Sequence, residues 1–402
     1  MKHRIVVLGA GYAGAITAGR LAKRLHRDDV EITLVNADPD FVERIRLHQL
    51  AAGQDLPVRP LRRVFAGTGV RVRIAWVDSV DADRKNVELI GENGAGTLAY
   101  DTLVYALGST IADLGVPGVA EHAHNVASKQ AALRSRERLN ALVAGDTVLI
   151  VGGGLTAIET ATEIAEARPD LEVAVAARGG VGDWLDEKAQ TYLRAAFERF
   201  GITVHEHADV TRVTENGVVT RSGAEIPARM TVWTAGFAVH PIAAAGTLTV
   251  SEAGRIVVDA TLRSVSHPDV YAIGDAAHAA GVGGRTLRMG CATASPMAWL
   301  GADAIAARLT GREIPDAPIG YSRQCISLGR HDAIVQKVTE EDQPTSKVEV
   351  GRKGARVKEL ICRGTAWNVS HPTLMVPSRR RHVVATAAAP VATDSPAPGM
   401  RS

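Results

Sequence analysis

The chain has 402 residues, 46% of them apolar and 22% charged, with 46 Lys and Arg against 44 Asp and Glu. The length suits two or three domains of roughly 100–200 residues each, and the composition excludes collagen-like, coiled-coil and wholly disordered chains. The near-balance of charge excludes a general nucleic-acid binder, which needs a marked basic excess.

Three cysteines, Cys291, Cys325 and Cys362, stand too far apart for a CxxC pair or a zinc ligand set. They read as reduced thiols, and no metal site is expected. No run of 18 apolar residues predicts a membrane-spanning helix. Lys2, His3 and Arg4 precede an apolar run, as in a signal peptide, but Gly9, Gly11 and Gly14 interrupt it, so the segment reads as structure.

In chain order, RIVVL (4–8) predicts a buried strand, residues 13–25 a helix and EITLV (31–35) a second strand, together one βαβ unit. Residues 70–107 alternate as strands, with a turn at GENGAG (91–96) and a last strand at TLVYA (102–106). The order then repeats: TVLIV (147–151), a helix over 158–167 and LEVAVAA (171–177). TVHEHADV (203–210) and a hairpin around Glu215-Asn216-Gly217 follow, and TVWTAG (231–236) echoes TLVYALG (102–108). PDVYAIGDAA (268–277) leads to a helix over 292–309, and residues 316–365 read as strand-like pieces, including QCISLG and DAIVQKV. From His382 the chain is rich in Ala, Pro, Thr and Ser and predicts a disordered tail.

Two motifs carry chemistry. Gly9-Ala10-Gly11-Tyr12-Ala13-Gly14 lies between a strand and a helix, where glycines permit a tight turn, backbone approach to a pyrophosphate and close helix packing. Gly152-Gly153-Gly154-Leu155-Thr156-Ala157 repeats this design. The acid expected after the second strand is replaced by Asn36, with Asp38 beyond; the two either hold a ribose or form the turn before Pro39. In the second unit Ala177-Arg178 stands there, so a guanidinium is available for a 2′-phosphate, which tilts the nucleotide toward NADPH; alternatively Arg178 is a solvated turn residue.

GAGYAG, TLVYALGS, GGGLTAIE, TVWTAGF and VYAIGDAA, in this order, resemble the pyridine nucleotide–disulfide oxidoreductase superfamily. Within it the chain is most similar to the type II NADH dehydrogenase and apoptosis-inducing-factor-like branch, strongly over about 1–310 and weakly over 311–382. The resemblance implies an α/β fold of two Rossmann-like domains plus a C-terminal α+β region. The implied divisions are a split FAD domain (1–113 and 238–311), an NAD(P)H domain (114–237), a C-terminal region (312–381) and the tail (382–402).

It further implies FAD at Gly9, Gly11, Tyr12, Ala13 and Gly14, with Val77 presenting its backbone to the adenine, Gly108 and Gly274 beside the flavin, and Asp275 on the ribityl or phosphate end. Asp275 can instead cap the next helix. NAD(P)H is implied at Gly152, Gly154, Leu155, Ala157, Arg178 and Gly236. Glu159 is placed near the nicotinamide carboxamide, or else it stabilises the first helical turn.

A redox disulfide is excluded, because DFVERIRLHQLAAG (40–53) has no cysteine. Arg44, Arg46 and His48 occur there instead, either facing flavin phosphates or a substrate pocket, or forming a solvent-facing surface. Ser295 and Trp299 stand where the branch places acceptor-side glutamines; Trp299 either stacks on a quinone-like acceptor or is a core aromatic.

The expected activity is hydride transfer from NAD(P)H to FAD and electron transfer to a quinone-like small molecule. A ferredoxin- or rubredoxin-type partner, or a slow-turnover NAD(P)H-responsive binding module, are the alternatives. A cytoplasmic protein is expected, with a homodimer and a weak peripheral contact at the inner face of the membrane, through WNVSHPTLMVPSRRRHVV (367–384), as open readings. A solvated basic turn is the other reading of that segment.

Overall fold

The computed structural model describes residues 1–92, 94–314, 318–374 and 379–384. The chain begins with β1 (His3–Leu8), α1 (Tyr12–Arg24), β2 (Val30–Asn36), β3 (Val70–Asp81), β4 (Asn86–Gly91), β5 (Gly94–Ala99) and β6 (Thr102–Tyr105). It continues through β7 (Thr147–Val151), α2 (Leu155–Ala167), β8 (Glu172–Ala176), β9 (Thr203–His205) and β10 (Met230–Trp233). The last part holds β11 (Val270–Ala272), α3 (Cys291–Leu309), β12 (Arg323–Ser327), β13 (Ala333–Val338), β14 (Pro344–Val350) and α4 (Gly351–Ser370). The helices Lys129–Asn140 and Glu187–Arg199 and several shorter elements lie between these.

Among the described residues, the first sheet has the order β11-β6-β1-β2-β3-β4-β5. Its β11-to-β3 part is parallel, and β3, β4 and β5 form an antiparallel meander. The second sheet has the order β9-β8-β7-β10 and ends on the short strand Ala123–His124, all parallel. β1, β6 and β7 are buried almost throughout, which is why they read as continuous apolar runs rather than alternating ones. One sheet draws on residues 3–105 and 270–272, and the other on the chain between them, so each ends its parallel strands at its own glycine-rich turn.

The C-terminal strands form an antiparallel three-stranded sheet, β12-β13-β14, against which α4 packs. Ile326, Leu328 and Ile334 of this layer share a core with Ile158 and Ile164 of α2. That packing carries the inner face of α4 to the boundary between the two large sheets. The strand-like reading of 316–365, of which 316 and 317 lie outside the described residues, holds at β12, β13 and β14 and fails beyond Val350, where α4 begins. The expected tail is also corrected at its start. His382 bonds to Asp29, and Val384 donates its N–H to Leu309, so 382–384 are tied to the first unit; 385–402 lie outside the described residues.

Candidate active site

The first glycine-rich turn works by exclusion. Gly9 has φ +92°, and a Cβ there would stand 2.3 Å from the Ala106 carbonyl oxygen; one on Gly14 would stand 1.9 Å from the Gly9 oxygen. Only glycine lets α1 seat so closely on β1 and β6. Gly11 is different: a Cβ there would meet nothing within 4 Å. It is the N-cap of α1 and offers no side-chain cap, so the first N–H groups of α1 are left for something else.

The second turn repeats the arrangement. Gly154 is the uncapped N-cap of α2 and faces open space. A Cβ on Gly152 would press on Thr234 Oγ1 at 2.6 Å.

Both turns open onto one cavity of about 1870 Å³, larger than the roughly 300–1,000 Å³ of a usual ligand pocket. At the first turn it is lined by Gly11, Tyr12, Ala13, Gly108, Gly274 and Asp275. At the second it is lined by Gly152, Gly154, Leu155, Glu159, Arg178 and Gly236. The buried Tyr12 hydroxyl has no hydrogen-bond partner among the described residues, so the first turn has both an open cradle and an unsatisfied polar atom. Arg178 is exposed on the wall and makes no hydrogen bond or ion pair with described residues.

Gly9, Gly14 and Ala157 lie behind the lining as packing residues. Three other expected positions are elsewhere. Asn36 accepts the Ala10 N–H at 2.8 Å and donates to the Asp38 carbonyl, so its amide ties the end of β2 to the glycine turn. Val77 lies in the β3–β4 hairpin opposite Leu89, away from the cavity. Trp299 is 43% exposed and does not line the cavity. The lining part of α3 is Cys291–Pro296, and Trp299 lies three residues, about 4.5 Å along the axis, beyond it.

The segment 44–48 turns inward rather than toward solvent. Arg44 donates to the Ser109 carbonyl at 2.6 Å and to its Oγ at 3.0 Å. Ser109 Oγ in turn donates to Asp275 at 2.6 Å. The other Asp275 oxygen accepts the N–H of Gly290, the N-cap of α3, at 2.9 Å. Asp275 therefore joins the flank of the cavity to the start of α3. Arg46 is buried between Glu43 and Glu359 at 3.2 and 2.9 Å.

Glu159 lies near the start of α2, on the lining of the cavity. Its carboxylate accepts from Lys358 Nζ at 2.8 Å and from the Ser327 N–H and Oγ at 2.9 and 3.0 Å. His48 Nδ1 stands 3.9 Å away. Burial pushes the Glu159 carboxyl up, but the Lys358 charge and these hydrogen bonds outweigh it and hold it ionised. Lys358 is likewise held in its charged form, as Glu159 outweighs burial. Burial takes His48 down to about 4, so its ring is neutral at neutral pH.

Sequence reasoning missed Lys358, which arrives on α4, and Ser327, which arrives on β12. It also missed that Cys291, Cys325 and Cys362 all line the same cavity. Burial pushes the Cys325 and Cys362 thiols up to about 11, so they are protonated. No local signal marks any of these residues, because each is brought in by packing.

A family model described as pyridine nucleotide-disulphide oxidoreductase matches residues 3–303. An NADH dehydrogenase-like protein of Mycobacterium tuberculosis is 31% identical over 301 residues, covering 69% of this chain and 73% of that protein. A demethylphylloquinone reductase of Synechocystis is 26% identical over 351 residues, covering 83% and 86%. The solved structure of NDH2 from Plasmodium falciparum in complex with NADH superposes with a TM-score of 0.77 at 14% identity, covering 93% of this chain and 97% of that one.

Proposed function

The chain belongs to the pyridine nucleotide-disulphide oxidoreductase family, and from that premise we propose that it is an FAD-dependent NAD(P)H dehydrogenase delivering electrons to a quinone-like acceptor. The observation that carries the reading is the pair of uncapped helix N-termini, at Gly11 and Gly154, opening onto one cavity that the Glu159–Lys358 pair also lines.

FAD, when bound, supplies a flavin ring able to take a hydride and pass electrons on singly or in pairs. The residues at the first turn fit it. Gly11 gives the pyrophosphate backbone N–H groups at the positive end of α1, and the unpartnered Tyr12 hydroxyl is available to it. The second turn holds the nucleotide pyrophosphate in the same way. Arg178, unpaired and exposed, meets a 2′-phosphate, and the buried Ala177 offers no carboxylate to oppose it.

Glu159 and Lys358 act as fixed charges at the junction. Two of the three Lys358 ammonium hydrogens are committed, to Glu159 and to the Cys325 carbonyl at 2.9 Å, which leaves one donor for a ligand. The protein's work is then positioning within a largely apolar chamber rather than acid–base chemistry.

The acceptor lies on the side formed by Cys291 and Ser295 of α3 and by Ile361, Cys362 and Thr365 of α4. The quinone in the Synechocystis relative's name fits this mixed, mainly small and apolar wall. The outer face of α4 exposes Leu360 and Trp367 beside Arg356 and Arg363, a pattern suited to a peripheral contact with an anionic membrane surface. Met375 and Val376 lie outside the described residues. Among the described residues no helix is long and apolar enough to cross a membrane.

Stopped-flow mixing of the purified protein with NADH or NADPH, then with soluble quinones, tests the reading. Bleaching of a bound flavin followed by quinone-dependent reoxidation is expected. A protein without flavin, or a reduced flavin that quinones do not reoxidise, would contradict it.

A further inference from the structure

Outside the cavity lining, three metal-ligating side chains converge where the turn after α1 meets the segment 379–384. The turn after α1 closes through the Asp29 N–H donating to the His26 carbonyl at 3.1 Å, which sets His26 and Asp29 on one side. The C-terminal segment runs alongside. The His26 N–H donates to the Arg381 carbonyl at 2.8 Å, and the Arg381 N–H donates to the Arg24 carbonyl at 2.9 Å. This places His382 over the turn. Its ring stacks on that of His26, with centroids 4.0 Å apart and planes at 29°. His382 Nδ1 lies 2.9 Å from Asp29 Oδ2, which also accepts the Val383 N–H at 2.9 Å. One ring nitrogen from each histidine and one carboxylate oxygen all lie within 4.8 Å of one another.

We propose that His26, Asp29 and His382 form a binding site for a transition-metal ion of the zinc class, which fastens the C-terminal segment to the first Rossmann unit. The donor set selects the ion. Two imidazoles and one carboxylate suit zinc and its borderline neighbours, whereas calcium and magnesium call for oxygen ligands throughout. Ligands of a tetrahedral zinc stand roughly 3.3 Å apart when each bond is about 2.0–2.1 Å, so the two stacked rings swing apart until one nitrogen of each and the Asp29 oxygen converge on the ion. On binding, the ion takes the place of the hydrogen bond between His382 Nδ1 and Asp29, and the neutral imidazole keeps its proton on Nε2. Solvent completes the coordination, because His382 is exposed. The site closes a loop of sequence from residue 26 to residue 382, so its effect falls on the C-terminal segment.

The test is calorimetric titration of the chelator-treated, flavin-loaded full chain with zinc alone. A single saturable site is expected. His382→Ala and Asp29→Asn should each weaken it at least about tenfold, and His331→Ala, an exposed histidine elsewhere, should leave it intact. Zinc should also slow trypsin cleavage at Arg379, Arg380 and Arg381 in the wild type and not in His382→Ala. Absence of a saturable site, or a site that survives His382→Ala, would overturn the proposal. So would zinc that binds without protecting the segment.

Discussion

The second nucleotide site turns on one dipeptide. Ala177 is buried at the end of β8 and Arg178 is unpaired on the cavity wall. A carboxylate there would accept from a free 2′-hydroxyl and repel a 2′-phosphate, and a guanidinium does the reverse. A well-formed charge-assisted contact contributes about 1.5–3 kcal/mol, or roughly tenfold or more in affinity. NADPH is therefore expected to be preferred, although the relatives' names carry NADH. Comparison of kcat/KM for both nucleotides checks it, and Ala177→Glu should move the ratio toward NADH. Wild-type preference for NADH would refute the assignment of Arg178.

Glu159 makes a second case at the same scale. Lys358→Met leaves a buried carboxylate unpaired and should cost about 3–5 kcal/mol, while Glu159→Gln with Lys358→Met should recover much of it. Denaturant melts of both singles and the double variant measure this.

Along α2, Glu159, Glu163 and Glu166 fall one turn apart on one face. Glu163 is 1% exposed, and one of its carboxylate oxygens has no hydrogen-bond partner among the described residues. Burial pushes its carboxyl up to about 7, with Glu166 and Glu159 adding to the shift and Arg330 opposing it. The folded chain thus holds a proton that the unfolded chain has lost. The stability this brings is complete below the ordinary value of 4.5 and is lost as pH rises through about 7. Glu163→Gln should flatten the stability profile between these values and be the more stable protein at pH 8, by up to about 3 kcal/mol. Denaturation midpoints across that range test it; a wild-type profile as flat as the variant's would show Glu163 ionised throughout.

The elements differ in how far the sequence reveals them. The two strand–glycine–helix units are legible because the glycines obey a local steric rule. α4 is not. It contains Gly351, Gly354 and Gly364, has no side-chain cap, and follows three strands. Gly354 is there for packing: a Cβ would stand 2.7 Å from the Ala333 carbonyl oxygen, so the helix lies tight on β13. Propensity lost to tertiary contact, and with α4 went Lys358. Trp299 stands on α3 just beyond its lining residues, and position along a motif does not tell which face of a helix meets a cavity. The inward fold of Arg44, Arg46 and His48 depends on Ser109, Glu43, Glu359 and Glu159, partners mostly distant in sequence.

At the scale of the molecule, two similar units face each other across one chamber, and a third layer supplies the residues that join them. In the proposed function the two turns divide the labour, the first holding flavin and the second holding nucleotide. The most direct measurement is flavin content and nucleotide kinetics in Gly11→Val and Gly154→Val, because neither added Cβ meets protein within 4 Å. Gly11→Val should purify without FAD. Gly154→Val should keep FAD at wild-type stoichiometry while its KM for NAD(P)H rises at least about tenfold, the weight of one lost charge-assisted contact. Full FAD occupancy in Gly11→Val, or an unchanged KM in Gly154→Val, would contradict the account.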